Sequence, residues 1–396
     1  KLLSLQDDND TCTKEELKGL IDNCEIRCNI NEFPVSDIYI ITVPTPIDKF
    51  NNPNLSSLRS ATQLIGKSIK ENKSKDSGIL PVIIIESTVY PGVSEKIVNE
   101  EIDMRYKLSI GIDYHLGYSP ERVSPGKDSQ RLEDIVKITS GYNAEARIWV
   151  DKLYKLIIKA GTFSASSIQV AEAAKILENT QRDLNIALMN EVSVLFSKIG
   201  IDTYDVIEAA STKWNFANFT PGLVGGHCIS VDPYYLVHLA KLHKINTDVI
   251  SSARKVNDNM AAWIARKLTK QFNRNPKIQG SGNRNVLLLG ATFKENCPDT
   301  RNSKSIDLAV GLRSYGFNVE ITDYVMYESG VTSVEDIPVT LTPTQEDGYS
   351  MIIASVKHTK YTEMTVNQWK SLKSSEDSIL FDIEDIVPRS LNPLRI

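Results

Sequence analysis

Gly225-Gly226-His227-Cys228-Ile229-Ser230-Val231-Asp232-Pro233 sets one cysteine behind two flexible residues and four positions ahead of an acid. Paired glycines let a backbone approach a ligand closely, and Asp232-Pro233 predicts the N-cap and N1 of a helix running into Tyr234-Tyr235-Leu236. A cysteine beside such a positive helix end is favoured as a thiolate, the form that attacks carbon. The same residues also suit a small core cysteine next to an ordinary turn. The rest of the chain has to decide between them.

Lys175, Asn179, Arg182 and Asn190 fall along one stripe of a long helical pattern, with Ala173, Ala174, Leu177, Leu184, Ala187, Leu188 and Val192 around them. A polar stripe on a helix that reads as buried on several sides is costly unless it meets an anion or a developing negative oxygen. An internal hydrogen-bond network tying the helix to a sheet is the alternative. Thr42-Val43-Pro44-Thr45-Pro46, Glu86-Ser87-Thr88-Val89 and Ser119-Pro120-Glu121-Arg122 each end an apolar run, the place where open α/β sheets hold ligands. Each alone reads as a turn or as part of a site; three in succession point to a shared cleft. Lys294, Asp299-Thr300-Arg301 and Ser303 suit a phosphate or ribose, or a solvated charged loop. His227, His238 and His243 lack metal-ligand spacing, so metal catalysis is not expected.

The elements that must position these residues follow from the apolar runs. Strands are predicted at 37–43, 81–87, 116–119 and 135–139, with a helix over 55–72, so the first domain reads as α/β with a largely parallel sheet. Residues 166–242 read as helical, dominated by 168–198. Strands resume at 285–289, 318–322, 350–356 and 379–383 as a second parallel sheet, after a polar linker over 273–285. The 396 residues, 41% hydrophobic and 24% charged, suffice for two or three domains. A net charge of −5 offers no general attraction for nucleic acid, so an anionic ligand requires a local basic pocket. Five cysteines (Cys12, Cys24, Cys28, Cys228, Cys297) are too scattered for a disulfide framework, which points to a reducing, cytoplasmic setting; Cys24 and Cys28 read as structural. No run of 18 apolar residues suggests a membrane span.

Gly-Gly-His-Cys-Ile-x-Val-Asp-Pro-Tyr-Tyr-Leu, Ser-Pro-Glu-Arg, Glu-Ser-Thr-Val, Lys-x-x-x-Asn and Lys-x-x-x-x-Asp-Thr-Arg together resemble motifs of the UDP-glucose/GDP-mannose dehydrogenase family, over essentially the whole chain. Glu178 to Ala187 and Thr42 to Pro46 resemble most the bacterial UDP-N-acetylhexosamine 6-dehydrogenases of surface-polysaccharide synthesis. The resemblance implies two Rossmann-like parallel-sheet domains joined by a long central helix and an all-helical dimerisation region, with an NAD-binding domain over 1–165, a central region over 166–272 and a UDP-binding domain over 283–396. It implies a homodimer or larger assembly, NAD as cofactor and a UDP-sugar as substrate. The implied chemistry is four-electron oxidation of a sugar C6 alcohol to a carboxylate. Cys228 would form a thiohemiacetal and then a thioester, Lys175 and Asn179 would stabilise the oxyanion, and Asp232, Glu121 and Thr88 would manage protons and the hydrolytic water. Arg122, Val123, Arg182, Gly225, His227 and Lys294 would hold substrate. Val43, Pro44, Thr45, Ser87, Thr88 and Arg301 would line the dinucleotide.

The sequence departs from that family in one respect. The Gly-rich turn and the acid ending the second strand have no counterpart after Lys1, so a leading strand-helix-strand unit is expected to be missing and NAD binding by this chain to be weak. Residues 322–340 also read as short and irregular, leaving room for a loop. UDP-glucose as substrate, a truncated non-catalytic nucleotide-sugar-binding chain, and a two-electron 3-hydroxyacid dehydrogenase are the competing expectations. The last needs no cysteine and leaves the second α/β domain unexplained.

Overall fold

A computed structural model describes residues 13–23, 36–72, 80–123 and 130–396. Cys12, Cys24 and Cys28 and the helical pattern at Lys1 lie outside the described residues. Short aliphatic runs form the strands and amphipathic segments the helices between them. In chain order these are α1 (Lys14–Asn23), β1 (Ile38–Ile41), α2 (Ser56–Asn72), β2 (Val82–Ile85), α3 (Val93–Val98), α4 (Met104–Tyr106), β3 (His115–Tyr118), β4 (Lys137–Gly141), α5 (Ala144–Lys155), β5 (Thr162–Ser164), α6 (Ile168–Ile199), α7 (Thr203–Ser211), α8 (Asp232–Leu242), α9 (Asp248–Arg274) and α10 (Pro276–Gly280). They continue with β6 (Asn285–Leu289), α11 (Lys304–Ser314), β7 (Asn318–Thr322), α12 (Tyr324–Glu328), β8 (Ser333–Val334), β9 (Ile337–Thr340), β10 (Met351–Ala354), α13 (Thr359–Thr362), α14 (Val366–Ser371), β11 (Ile379–Asp382) and β12 (Leu394–Arg395). The chain forms two compact units: residues up to Thr180 with Val231–Thr247, and Gln181–Ser230 with Asp248–Ile396.

The first unit holds the sheet β1-β2-β3-β4-β5. β1, β2 and β3 are parallel, with Ile41 beside Ile85 and Ile85 beside Tyr118, so their carboxyl ends lie side by side. β2 is Val-Ile-Ile-Ile, buried throughout, as a strand covered on both faces must be. β4 is antiparallel to β3, pairing Gly117 with Gly141 and Tyr118 with Ser140. Helix α5 packs directly on this pair: a Cβ on Gly117 would meet Val150 Cγ2 at 2.4 Å, and one on Gly141 would meet the Arg147 backbone nitrogen at 2.2 Å. The largely parallel sheet expected from sequence is present, with β4 turned against it and β5 added at its edge.

The second unit holds β12-β11-β10-β6-β7-β9-β8, parallel except for β8 against β9. From β6 the chain builds to one side through β7 and β9, then crosses to β10 on the other. The β6/β10 boundary is therefore a topological switch point, where such sheets open a crevice for ligand. Residues 322–340 are not irregular as the sequence suggested: Asp323 caps α12 by accepting from the Met326 N–H at 3.0 Å, and β9 extends the sheet beside β7. The expected 273–285 linker is also partly ordered, because the Asn275 side chain caps α10.

Helix α6 runs 32 residues. In the second unit its buried face is fixed to α9 by charge: Arg254, 1% exposed, reaches Asp183 at 2.5 Å and Asp258 at 2.5 Å, while Asn257 donates to Asp183 at 2.7 Å. Burial pushes the Asp183 carboxyl above the usual carboxylate range, and Arg254 opposes that. Removing the cation leaves a buried carboxylate uncompensated. Arg254→Met is therefore expected to lower unfolding free energy by about 3–5 kcal/mol, read as a fall in the urea midpoint at neutral pH.

Candidate active site

The first unit gathers one set of the expected residues. The N-terminal half of α6 buries Lys175 and Asn179, and α8 begins at Asp232, itself 3% exposed. Asn179 Nδ2 donates to Asp232 Oδ2 at 2.6 Å. Asp232 does not cap its helix: Val231 is the N-cap, no side chain caps it, and Asp232 and Pro233 begin the first turn. The tertiary hydrogen bond from Asn179 takes the carboxylate that a local cap would have used. Burial raises the Asp232 carboxyl from 3.8 to about 6, against the hydrogen bond from Asn179 and the charge of Lys175. An acid titrating near 6, beside an ammonium and an amide, can exchange protons at neutral pH.

The three strand-end segments share the carboxyl edge of β1, β2 and β3. Ser87 Oγ donates to the Val43 carbonyl at 2.7 Å, Thr45 Oγ1 donates to the Thr88 carbonyl at 2.7 Å, and the Tyr235 hydroxyl donates to the Thr45 carbonyl. These bonds fix Val43 and Thr45, half-buried, and Pro44, exposed, as a rigid wall. The carboxyl edge of a parallel sheet is where open α/β folds hold their ligands. The next turn is fixed by Glu172 of α6, which accepts from the Gly92 N–H at 2.6 Å and the Ser94 N–H at 3.0 Å. Glu121 is exposed and accepts from the N–H of half-buried Val123. Arg122 is engaged within its own unit: its guanidinium meets Glu178 at 2.7 and 3.1 Å and donates to the Val136 carbonyl at 2.9 Å.

The second unit places the cysteine loop against the residues that follow β6. A Cβ on Gly225 would meet the Asn302 carbonyl oxygen at 2.6 Å, and Gly226, at φ +81°, lies against Phe293. Asn302 Nδ2 donates to the Gly226 carbonyl at 3.1 Å. Cys228 is half-buried, and exposed His227 reaches Asp299 at 3.6 Å. Asp299 also holds Arg301 through both carboxylate oxygens, at 2.5–3.0 Å. That pairing leads the causes that raise Arg301, with the charge of Cys228 acting in the same direction. Lys294, half-buried, follows β6 at the switch point. Its loop is tied down by buried Asp323, which accepts from the Ala291 N–H at 2.6 Å, and by His358 Nδ1, which accepts from the Asn296 N–H at 2.9 Å.

The α6 stripe needs two corrections. Arg182 is exposed at its rim, and the buried polar residues of the helix are Glu172, Lys175, Asn179, Thr180, Asp183, Asn190 and Ser193. Asn190 is structural: it donates to the Gly222 carbonyl at 3.0 Å and to Asn257 at 2.8 Å, and accepts from the Gly222 N–H at 2.9 Å. Leu177 and Leu188, read as interior, are exposed. Glu178, Glu172, Tyr235 and Asp323 were missed as organising residues. Their partners stand far away in sequence, so no local pattern marks them.

Two nucleotide-type α/β sheets, with a buried Lys-Asn-Asp set in one unit and a cysteine loop in the other, define a dinucleotide-dependent oxidoreductase. The comparisons with known proteins agree. Residues 13–158, 169–259 and 287–389 match, respectively, the NAD binding, central and UDP binding domains of the UDP-glucose/GDP-mannose dehydrogenase family, and the chain belongs to that family. It is 42% identical over 374 residues to the UDP-N-acetyl-D-glucosamine 6-dehydrogenase of Pseudomonas aeruginosa, covering 93% of this chain and 84% of the relative. It is 38% identical over 391 residues to the enzyme of the same name from Salmonella typhi, covering 97% and 87%. The solved structure of a UDP-D-ManNAc dehydrogenase from Pyrococcus horikoshii superposes with a TM-score of 0.80 at 28% identity, covering 97% of this chain and 87% of that one. The protein is an NAD-dependent nucleotide-sugar dehydrogenase. Among the described residues, no helix is long and apolar enough to cross a membrane.

Because Asp232 binds its proton more tightly folded than unfolded, its ionisation costs stability as pH rises from about 4 to about 6, and the full cost, about 3 kcal/mol, persists above that. Asp232→Asn is expected to be more stable than the parent at pH 7.5 and to lose that advantage by pH 4, measured by urea unfolding at both values.

Proposed function

We propose that the protein oxidises the C6 alcohol of a UDP-N-acetylhexosamine to the uronic acid, in the cytoplasm, for surface-polysaccharide synthesis. The observation that carries this reading is the buried set of Lys175, Asn179 and Asp232: a cation, an amide and a base titrating near 6, four residues beyond a half-buried cysteine. The names of the relatives from Pseudomonas aeruginosa and Salmonella typhi support the sugar class.

Val43, Pro44, Thr45, Ser87, Thr88 and Arg301 are the residues that would hold NAD, which when bound accepts one hydride in each of two oxidations. The first oxidation turns the C6 alcohol into an aldehyde. An aldehyde has no alkoxide from which to expel a second hydride, so Cys228 supplies one by adding as thiolate, forming the C–S bond of a thiohemiacetal. Lys175 and Asn179 stabilise the oxyanion at each stage. Loss of the second hydride leaves a thioester on Cys228. Asp232 takes a proton from water as the water attacks, with Glu121 and Thr88 holding that water, and the C–S bond breaks to release the thiolate and the carboxylic acid, which loses its proton to solvent. Arg122, Val123, Arg182, Gly225, His227 and Lys294 hold the nucleotide sugar.

We also propose a homodimer or larger assembly. In the second unit, Leu188, Leu195 and Ile199 of α6 and Val249 of α9 expose more than half their surface, an apolar display that suits coverage by a second copy.

The full-length protein is expected to release two NADH per UDP-N-acetylhexosamine consumed; a yield of one or none contradicts the reading. Cys228→Ser is expected to lose overall turnover by at least about a thousandfold while still binding the UDP-sugar in calorimetry, and a variant completing both oxidations at the parent rate sinks the covalent route. Leu188→Glu is expected to shift the protein to monomer in light scattering after gel filtration, whereas an unchanged mass contradicts the proposed interface.

A further inference from the structure

Lys137 is the first residue of β4 and is 2% exposed. Because β4 runs antiparallel to β3, its start lies at the edge where β2 and β3 finish. There the ammonium meets Glu86 Oε2 at 3.1 Å, donates to the Pro120 carbonyl at 3.2 Å and stands 4.9 Å from the centre of the Tyr154 ring. The Tyr154 hydroxyl donates to Glu86 Oε1, so both oxygens of that carboxylate are engaged. Glu86 lies two residues before Thr88, and Pro120 is the residue before Glu121. One buried cation therefore ties together the two loops that carry Thr88 and Glu121. Lys137 also feels the charges of Glu121 and Lys175, the first favouring and the second opposing its ammonium, while burial is the largest influence and lowers its pKa.

We propose that Lys137, held by Glu86 and Tyr154, is a positioning residue that sets the Thr88 loop and the Glu121 loop at a fixed separation, so that both can hold the hydrolytic water. This rests on the roles given above to Thr88 and Glu121. A buried ion pair is a poor source of stability compared with an apolar pair of the same shape, which leaves orientation of the loops as its use. An interaction that aligns catalytic groups without touching the ground-state substrate acts on kcat rather than KM.

The test is the double variant Lys137→Met with Glu86→Gln in the full-length protein, which removes both charges and leaves neither buried alone. Its kcat for UDP-sugar oxidation is expected to fall about tenfold or more, with KM for the UDP-sugar and for NAD within about twofold of the parent, and Lys137→Arg with Glu86 intact is expected to recover most of the rate. A double variant with parental kcat, or one in which only KM changes, overturns the proposal. If the double variant does not fold, Tyr154→Phe frees one Glu86 oxygen and removes no charge. It is expected to lower kcat about threefold with KM unchanged, and an unchanged kcat overturns the proposal. Glu121→Gln run in parallel separates the two levels: if it keeps parental turnover, the role of Glu121 fails and the clamp's purpose with it, whereas a slow Glu121→Gln beside a fast double variant defeats the clamp alone.

Discussion

The 2.6 Å hydrogen bond from Asn179 to the buried Asp232 carboxylate is the constraint around which the first unit is arranged. A carboxyl at 3% exposure keeps its charge near neutrality only if donors and a cation are held to it, and α6 supplies them one turn apart as Asn179 and Lys175. This explains why α6 is polar where packing alone would make it apolar. The same helix face, through Glu172, fixes the Gly92 and Ser94 amides and so the turn after Thr88. The Asp232 carboxylate and the strand-end loop are thus held by neighbouring turns of one helix.

In the second unit the organising acids are Asp323 and Asp299. Asp323 ends β7, where many nucleotide-binding folds place a ribose-binding acid, yet here it is fully buried and spent on the backbone of the loop after β6 and on His358. Asp323 thus shapes the loop that carries Lys294. Asp299 holds Arg301 and lies 3.6 Å from His227, which ties the cysteine loop to the residues that follow β6.

Much of this was legible in the sequence. Eight strands were marked by aliphatic runs bounded by turn residues, and the long helix by its period, because burial on two faces and one face imposes those patterns. What the pattern could not give was direction and partnership. β4 has the same apolar signature whether it pairs parallel or antiparallel, and only its reversal brings Lys137 to the edge where β2 and β3 finish. Asp232 carried a helix-capping signature that a partner 53 residues away overrode. Arg182 and Asn190 shared the stripe of Lys175, but one faces solvent and the other holds Gly222. Hydrophobic period assigns a face, and tertiary contacts decide what each polar residue on it does.

In the proposed mechanism Cys228 carries the sugar between the two oxidations and Asp232 drives its release. Peptide mass spectrometry of the full-length Asp232→Asn variant, quenched in acid during turnover with NAD and a UDP-N-acetylhexosamine, tests it most directly. The expected result is an acyl adduct of the oxidised UDP-sugar on the peptide containing Cys228, absent without NAD. Sustained production of the uronic acid with Cys228 unmodified at every quench time, or an adduct on another residue, would contradict it.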